Sequence, residues 1–374
     1  MKYWRGYVVA AVFAVLSWGL TQFAKAHTSL VDMVYPYVTR LIQTALAQWS
    51  AGIDSCLWQI VLLFLAAGLL VSIVLMIVLR WNPVQWFGWV LAAVSLLTFL
   101  DTGLYRLNAY AGSVADDVRL TVQEGYTPSE LADATTYFRD KANALSSQVK
   151  RDSAHQLEMP DFDVLAKLAS DTFETLTYDS TLSIYAGAAV PVKELGWSDS
   201  YTGRGITGVT VSLTGEAAVN PQVPGIGLPF AMCHEMAHRV CIYNDDDADL
   251  SAFLACDVSE DALFQYAGYA LAYRACLNSL AASTDSAQRA AADVIESGAS
   301  SYLRADLQEY EAFLENRTKE PDEADAEDPK PTFTDMLVSW YIQEIVLPMH
   351  VEEEVLFDPL DESQVDLSGL VNAG

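Results

Sequence analysis

The sequence predicts N-terminal transmembrane helices followed by a mainly α (α+β) domain with a small sheet. Three observations carry this expectation. The first 100 residues hold three long apolar runs with little charge. Most of the remaining chain places apolar residues at helical spacing between recognisable caps. One stretch, "GVTVSLTGEAAVN" at 208–220, alternates with the period of a strand instead.

The apolar runs are "GYVVAAVFAVLSWGLTQF" (6–23), "CLWQIVLLFLAAGLLVSIVLMIVL" (56–79) and "VQWFGWVLAAVSLLTFL" (84–100). A helix needs roughly 20 apolar residues to cross the hydrocarbon core. The second run meets this without a single charge. The third is shorter, but Trp86 and Trp89 suit an interface. In the first, Lys2 and Arg5 precede the apolar run and Ala24-Lys25-Ala26 resembles a leader-cleavage site. The spans that follow favour a retained signal-anchor helix. Lys2 and Arg5 hold the N-terminus in the cytoplasm, and the tight "RWNP" turn returns Arg80 to that side. Three crossings then place residues 101–374 outside the cell membrane, with 1–100 as the membrane region. Between the first two spans, "VYPYVTRLIQTALAQW" (34–49) is expected to form an amphipathic helix on the membrane surface.

Charge separates the same two regions. The first 100 residues carry five basic and two acidic side chains, the remaining 274 carry 16 and 47, a net charge of −31. A surface this acidic repels nucleic acid and anionic lipid, so no nucleic-acid partner is expected. It suits basic or neutral substrates. Of the five cysteines, Cys233, Cys241, Cys256 and Cys276 cluster in sequence and read as small buried residues on packed helices.

Within the soluble part, "TPSELADATTYFRDKANALSSQ" opens with Thr127 as N-cap, Pro128 at the first helical position and Glu130 closing a capping box. A second amphipathic helix covers 161–176. Further helices are expected at 228–243, 246–256, 260–280, 284–297, 299–316 and 332–350. The acidic, proline-rich "KEPDEADAEDPKP" (319–331) reads as a surface loop.

The stretch that carries chemistry is HEMAH, His234 to His238, which uses two of only five histidines in the chain. On a helix, positions i and i+4 share a face, so His234 and His238 can point both imidazoles at one metal ion. Glu235 lies about 100° round the helix, at the edge of that face. There it can take a proton from a water that the metal polarises, the arrangement of the HExxH metallopeptidases. Met232, Met236 and Val240 occupy the opposite side. A catalytic zinc takes three protein ligands, and a cluster of acids follows: Asp245, Asp246, Asp247 and Asp249. One of them is expected to ligate while the others favour a helix N-terminus. His27, His155 and His350 have no ligand-like neighbours in sequence.

The segments "LYRLNAYA", "GITGVTVSLTGEAAVN", "LPFAMCHEMAH", "DADLSAFLAC" and "YAGYALAYRACLNSL" together resemble the bacterial domain-of-unknown-function 3810 family, membrane-anchored proteins with an HExxH zinc-peptidase-like domain. The run from Gly205 to Leu280 is its most specific part, and the chain beyond about 319 matches poorly. The resemblance implies a zincin-like, more narrowly gluzincin-like, metallopeptidase domain. It also implies a third ligand from the helix after the motif. Aligned with the family's glutamate-bearing turn, that ligand is Asp247, with Asp246 the second choice. Two departures stand out. Aspartate is shorter than glutamate by one methylene, and Cys241 stands where the family often has glycine, so the motif helix is expected to continue and turn at Asn244.

The expected activity is therefore zinc-dependent hydrolysis of a polypeptide by a membrane-anchored metallopeptidase, with Zn2+ as cofactor and Glu235 as base. "TGEAAVN" is expected to border the cleft as an edge strand, with Glu216 and Asn220 facing the substrate. Tyr266, Tyr269 and Tyr273 form a helical stripe, and Tyr266 is a candidate donor to the oxyanion. A second reading is a catalytically inactive or structural-metal envelope protein that binds a partner. Intramembrane proteolysis is disfavoured, because "GIGLPFAM" is short and the acids follow soon after.

Overall fold

A computed structural model describes residues 4–123, 125–177, 190–315 and 330–348. Most of loop 319–331, together with His350, lies outside the described residues.

Four long helices open the chain: α1 (Arg5–Ala26), α2 (Thr28–Ser50), α3 (Leu57–Val78) and α4 (Pro83–Leu104). α1, α3 and α4 are each 22 residues long and apolar enough to cross a membrane, with mean hydropathies of 1.6, 3.1 and 1.6. α1 packs along α4. Gly6 and Gly88 let the two backbones meet, since a β-carbon on Gly6 would overlap the Gly88 carbonyl. The Tyr7 hydroxyl closes the same contact by donating to the Val84 carbonyl at 3.0 Å. α4 starts sharply because Asn82 accepts from the Gln85 amide and Pro83 occupies the first turn. The α3–α4 hairpin is also linked by Trp86 Nε1 donating to Ser72 Oγ.

α2 is amphipathic with its faces reversed relative to a soluble helix. Thr39, Arg40, Gln43 and Ser50 are buried, whereas Met33, Val38, Leu41 and Trp49 are exposed. The polar groups have partners inside: Arg40 Nε donates to the Val240 carbonyl, and Gln43 Nε2 to the carbonyls of Ser212 and Leu104. A helix that buries its hydrogen bonds and shows its apolar side fits a bilayer surface.

After a 3-10 turn (Arg106–Tyr110) and the short α5 (Val114–Asp117), the chain forms α6 (Pro128–Ser146) and α7 (Phe162–Thr177). The Thr127–Glu130 capping box is present with Pro128 in place. Then follow β1 (Lys193–Glu194), α8 (Ser198–Thr202), β2 (Gly208–Val211), β3 (Glu216–Val219), α9 (Gly227–Arg239), α10 (Asp245–Val258), α11 (Ala262–Ala281), α12 (Ser286–Ser297), α13 (Ser301–Leu314) and α14 (Phe333–Tyr341). A π-helical turn (Ile342–Val346) follows α14.

The stretch 208–220 is a hairpin, not one strand. β2 pairs antiparallel with β3 in the register Val209–Ala218, and β1 pairs parallel on the other side of β3. The order is β1-β3-β2, which makes β3 central and β2 an edge. α9 lies between this sheet and the helices α7, α10 and α11. Eleven of its thirteen residues are buried, so its histidine face is one of the few parts left open. α11 runs through the centre of the core, with Phe264, Tyr266, Tyr273 and Cys276 all fully buried. All five cysteines are buried thiols.

The membrane helices and the soluble fold are not separated by a linker. At the start of α3 the Leu57 and Trp58 amides donate to Glu216 Oε1 and Oε2 at 2.8 and 2.9 Å. Lys193 Nζ lies 2.6 Å from Glu216 Oε1 and also donates to the Ser50 carbonyl. The Gln59 side chain exchanges two hydrogen bonds with the Gly196 backbone. Glu216 therefore caps the most apolar of the long helices and is turned into the fold, contrary to the expectation from sequence that it faces a substrate. Glu216→Ala leaves Lys193 buried without its partner and orphans two helix amides. In full-length protein in detergent it is expected to lower unfolding free energy by about 3–5 kcal/mol, and Glu216→Gln by less. A loss under about 1 kcal/mol for the alanine variant would place the docking energy elsewhere.

Candidate metal centre

The histidine pair is set by the helix and then by the turn that ends it. α9 stops at Arg239, and Cys241 takes a left-handed conformation, φ 75°. The Cys241 amide bonds the His238 carbonyl and the Ile242 amide bonds the Ala237 carbonyl. This is a Schellman turn, with Cys241 in the left-handed position. The helix therefore does not run on toward Asn244. A non-glycine residue there costs roughly 1–2 kcal/mol. The turn brings the Ile242 carbonyl to 2.8 Å from His238 Nδ1. Arg40 from α2 stabilises the same helix end by donating to the Val240 carbonyl at 3.1 Å.

His234 Nε2 and His238 Nε2 point at one another across 3.0 Å. Asp245 Oδ1 is 3.4 Å from His238 Nε2. Among the described residues, His234, His238 and Asp245 are the group whose ligand atoms all lie within 4.8 Å of one another. Tetrahedral zinc with bonds of 2.0–2.1 Å separates its ligand atoms by about 3.3 Å, so the donor set and its spacing fit such an ion. The outer nitrogens are also in the required state. His234 Nδ1 is 2.7 Å from Asp249 Oδ1, and His238 Nδ1 faces the Ile242 carbonyl. Each partner holds a proton on Nδ1, which leaves Nε2 as the nitrogen that turns a lone pair to a metal ion once its own proton is displaced. Burial pushes His234 down, but Asp249, with Glu235 and Asp245, outweighs it and lifts the imidazole to about 9. The same negative field favours a cation between the rings.

Asp247 is not part of this group. Its Oδ1 accepts from Ser113 Oγ at 2.5 Å and from the Val114 amide at 3.0 Å, holding the start of α5. Asp246 accepts from the Phe333 amide at the start of α14, and burial with its acidic neighbours raises it to about 6. The reason is helical phase. Asn244 caps α10 by accepting from the Asp247 amide, so Asp245 is the first helical residue and Asp249 lies four further on. These two share a face and meet the histidine pair, while Asp246 and Asp247 are turned away.

Glu235 lies beside the edge strand. Its Oε2 accepts from Thr210 Oγ1 at 2.7 Å, and that hydroxyl also reaches the Glu235 carbonyl. Gly208 makes room for it, since a β-carbon there would overlap Glu235 Cγ. Glu235 is buried and is not one of the grouped ligands.

Two other expected residues prove structural. Asn220 is fully buried, donating to Thr202 Oγ1 and the Ile206 carbonyl and accepting from the Gln222 amide. The Tyr266 hydroxyl donates to Asp306 Oδ2 at 2.6 Å, where Arg151 completes a buried network. Tyr266 belongs to the core stripe and does not reach the metal group. Tyr105, the first residue after α4, packs on Tyr243, two residues before Asp245, at 5.4 Å between ring centres. Burial, with Cys241, Glu235, Tyr243 and Asp245, holds its phenol well above the ordinary tyrosine range. It therefore stays a proton donor. No sequence spacing points to Tyr105, because the end of a membrane span brings it there.

Fold and site define a class: a mostly helical protein with three helices long and apolar enough to cross a membrane, and with two histidines and an aspartate grouped beside a buried glutamate. The chain belongs to the family described as "Protein of unknown function (DUF3810)", whose model matches residues 31–327. The match takes in most of α2 and every residue of the group, and ends within the acidic loop. No curated protein and no solved structure matches the chain.

The geometry ranks the acids. Asp245→Ala is expected to weaken zinc binding by at least tenfold, and Asp249→Asn by about tenfold to 100-fold through its hold on His234. Asp247→Ala should leave affinity nearly unchanged. Chelator competition on full-length protein measures this, and a larger loss for Asp247→Ala than for Asp245→Ala would reject the assignment.

Proposed function

We propose that this chain is a membrane-anchored zinc metallopeptidase, its metal held by His234, His238 and Asp245. The observation that carries the reading is the division of labour between two half-buried histidines, the exposed Asp245 and the buried Glu235. Two imidazoles converge through Nε2 with both Nδ1 atoms already occupied, and Glu235 stands beside them held by Thr210. Three protein ligands are the complement of a catalytic zinc site, whereas a structural site uses four. A structural site also has no use for a buried, non-ligating carboxylate.

Zinc, when bound, polarises a carbonyl and lowers the pKa of water. Glu235 accepts the proton of the attacking water and passes it to the leaving amine. Thr210 keeps its carboxylate directed, and Gly208 leaves it space. Tyr105, held neutral, supplies an O–H donor on the side of Tyr243. The edge strand β2 lines this position and can pair with the backbone of an extended peptide, which supports a polypeptide substrate.

Glu235→Gln keeps the shape but cannot take the proton. Zinc content is expected to be unchanged while hydrolysis of an unstructured polypeptide falls by roughly two to four orders of magnitude. Equal hydrolysis by both proteins would move the reading to a structural metal and a partner-binding role.

The orientation we propose puts the metal centre outside the cytoplasm, from Lys2, Arg5 and Arg80 at the opposite ends of the three spans. A reporter that works only outside the cytoplasm, fused after Gly374, is expected to be active. Activity only of a cytoplasmic reporter would reverse the topology.

A further inference from the structure

We propose that the substrate of this centre is the membrane-proximal segment of a bilayer-anchored polypeptide, cut within a few residues of its span. This rests on the peptidase reading above and adds the substrate class.

In the β2–β3 turn, Ser212 Oγ donates to Asp101 Oδ1, in the last turn of α4, at 2.5 Å. Gln43 Nε2 bridges the Ser212 and Leu104 carbonyls at 3.0 and 3.4 Å. On the far side of the turn, Glu216 accepts from the first two amides of α3. The turn is therefore wedged between the end of one membrane helix and the start of another. It lies at the level where the hydrocarbon core ends.

Glu235 meets this strand at Gly208 and Thr210. Thr210 is two residues from Ser212, and a strand rises about 3.3 Å per residue. The general base thus stands on the order of 7 Å from the turn. Tyr105 gives the same result from another element: it immediately follows α4 and packs on Tyr243, two residues before Asp245. A third element extends the membrane plane beneath the site. α2 exposes Met33, Val34, Val38, Leu41 and Trp49 and reaches the α9 terminus through Arg40. Its apolar side continues from α1 across the one-residue break at His27, and Tyr35 binds α4 through the Thr102 carbonyl.

An extended chain rising from the bilayer gains about 3.3 Å per residue. About three residues beyond its span it reaches the level of Glu235. One end of β2 opens toward the bilayer, so a peptide paired with that edge has one end at the membrane. A tethered segment is held there at high effective concentration, whereas a free peptide must find a site close to the headgroup layer.

The test uses full-length protein and zinc in phosphatidylcholine vesicles. One substrate is a synthetic single-span Leu/Ala helix with an unstructured 20-residue Gly/Ser/Phe tail, of the order an extended chain needs to leave the surface; the other is the tail alone. A photoreactive benzoylphenylalanine stands at the third or the twelfth tail residue. With Glu235→Gln, probes at the third residue are expected to crosslink to 208–211 at least tenfold more than probes at the twelfth. With wild type, cleavage is expected within the first five or so tail residues, and the free tail should be cut at least tenfold more slowly. Equal crosslinking from both positions, or equal cutting of the free tail, overturns the placement and leaves the peptidase reading standing. Hydrolysis of neither substrate overturns both.

Discussion

Four acids in the space of five residues cannot be left to repel one another, and much of this structure follows from how they are separated. At the first turn of α10 each carboxylate is assigned a different partner. Asp245 goes to the histidine pair, Asp246 to the Phe333 amide of α14, Asp247 to Ser113 and Val114 at α5, and Asp249 to His234. Charge-assisted bonds of this kind are roughly twice as strong as neutral ones. Three helices and the candidate metal group are thus located by one acidic turn. The helix N-terminus supplies a further favourable field for the negative charge. The same turn that suits cation binding also fixes the surrounding architecture.

The parts of this protein legible in its sequence are those decided locally. The three spans follow from apolar length, and the Thr127–Glu130 box from residue type and spacing. His234, Glu235 and His238 are related by helical geometry alone. Family membership was legible from the segments around them. The acid of the metal group was not, because it depends on where the chain turns. Cys241 takes the left-handed position that a glycine would fill, and Asn244 then sets the phase of α10. His234 and His238 are four apart, and so are Asp245 and Asp249, which makes two facing pairs. Asp247, the position that matches the family's glutamate, lies two residues beyond Asp245 and is turned to Ser113 instead.

Glu216, Asn220 and Tyr266 show the other boundary of such reading. Each is a polar group near the motif in sequence and each is buried with its hydrogen bonds satisfied within the fold. Buried polar groups are costly unless paired, so a polar residue beside a catalytic motif often serves the scaffold. Tyr105 has the opposite history. It lies 130 residues before Glu235 and ends a membrane helix, yet it stands in the same electrostatic field. Only the docking of the membrane helices on the sheet brings it there.

The cap on α3 has a consequence in time. The Leu57 and Trp58 amides find their acceptor 159 and 158 residues later in the chain. At roughly 5–20 residues per second of synthesis, about ten to thirty seconds pass before Glu216 is made. Throughout that interval the first turn of the most apolar helix must be satisfied by water or lipid headgroups. The span can enter the bilayer early, but it cannot reach its final seat until the β2–β3 hairpin exists. Assembly therefore runs from the apolar helices outward, and the C-terminal half closes over helices already in place.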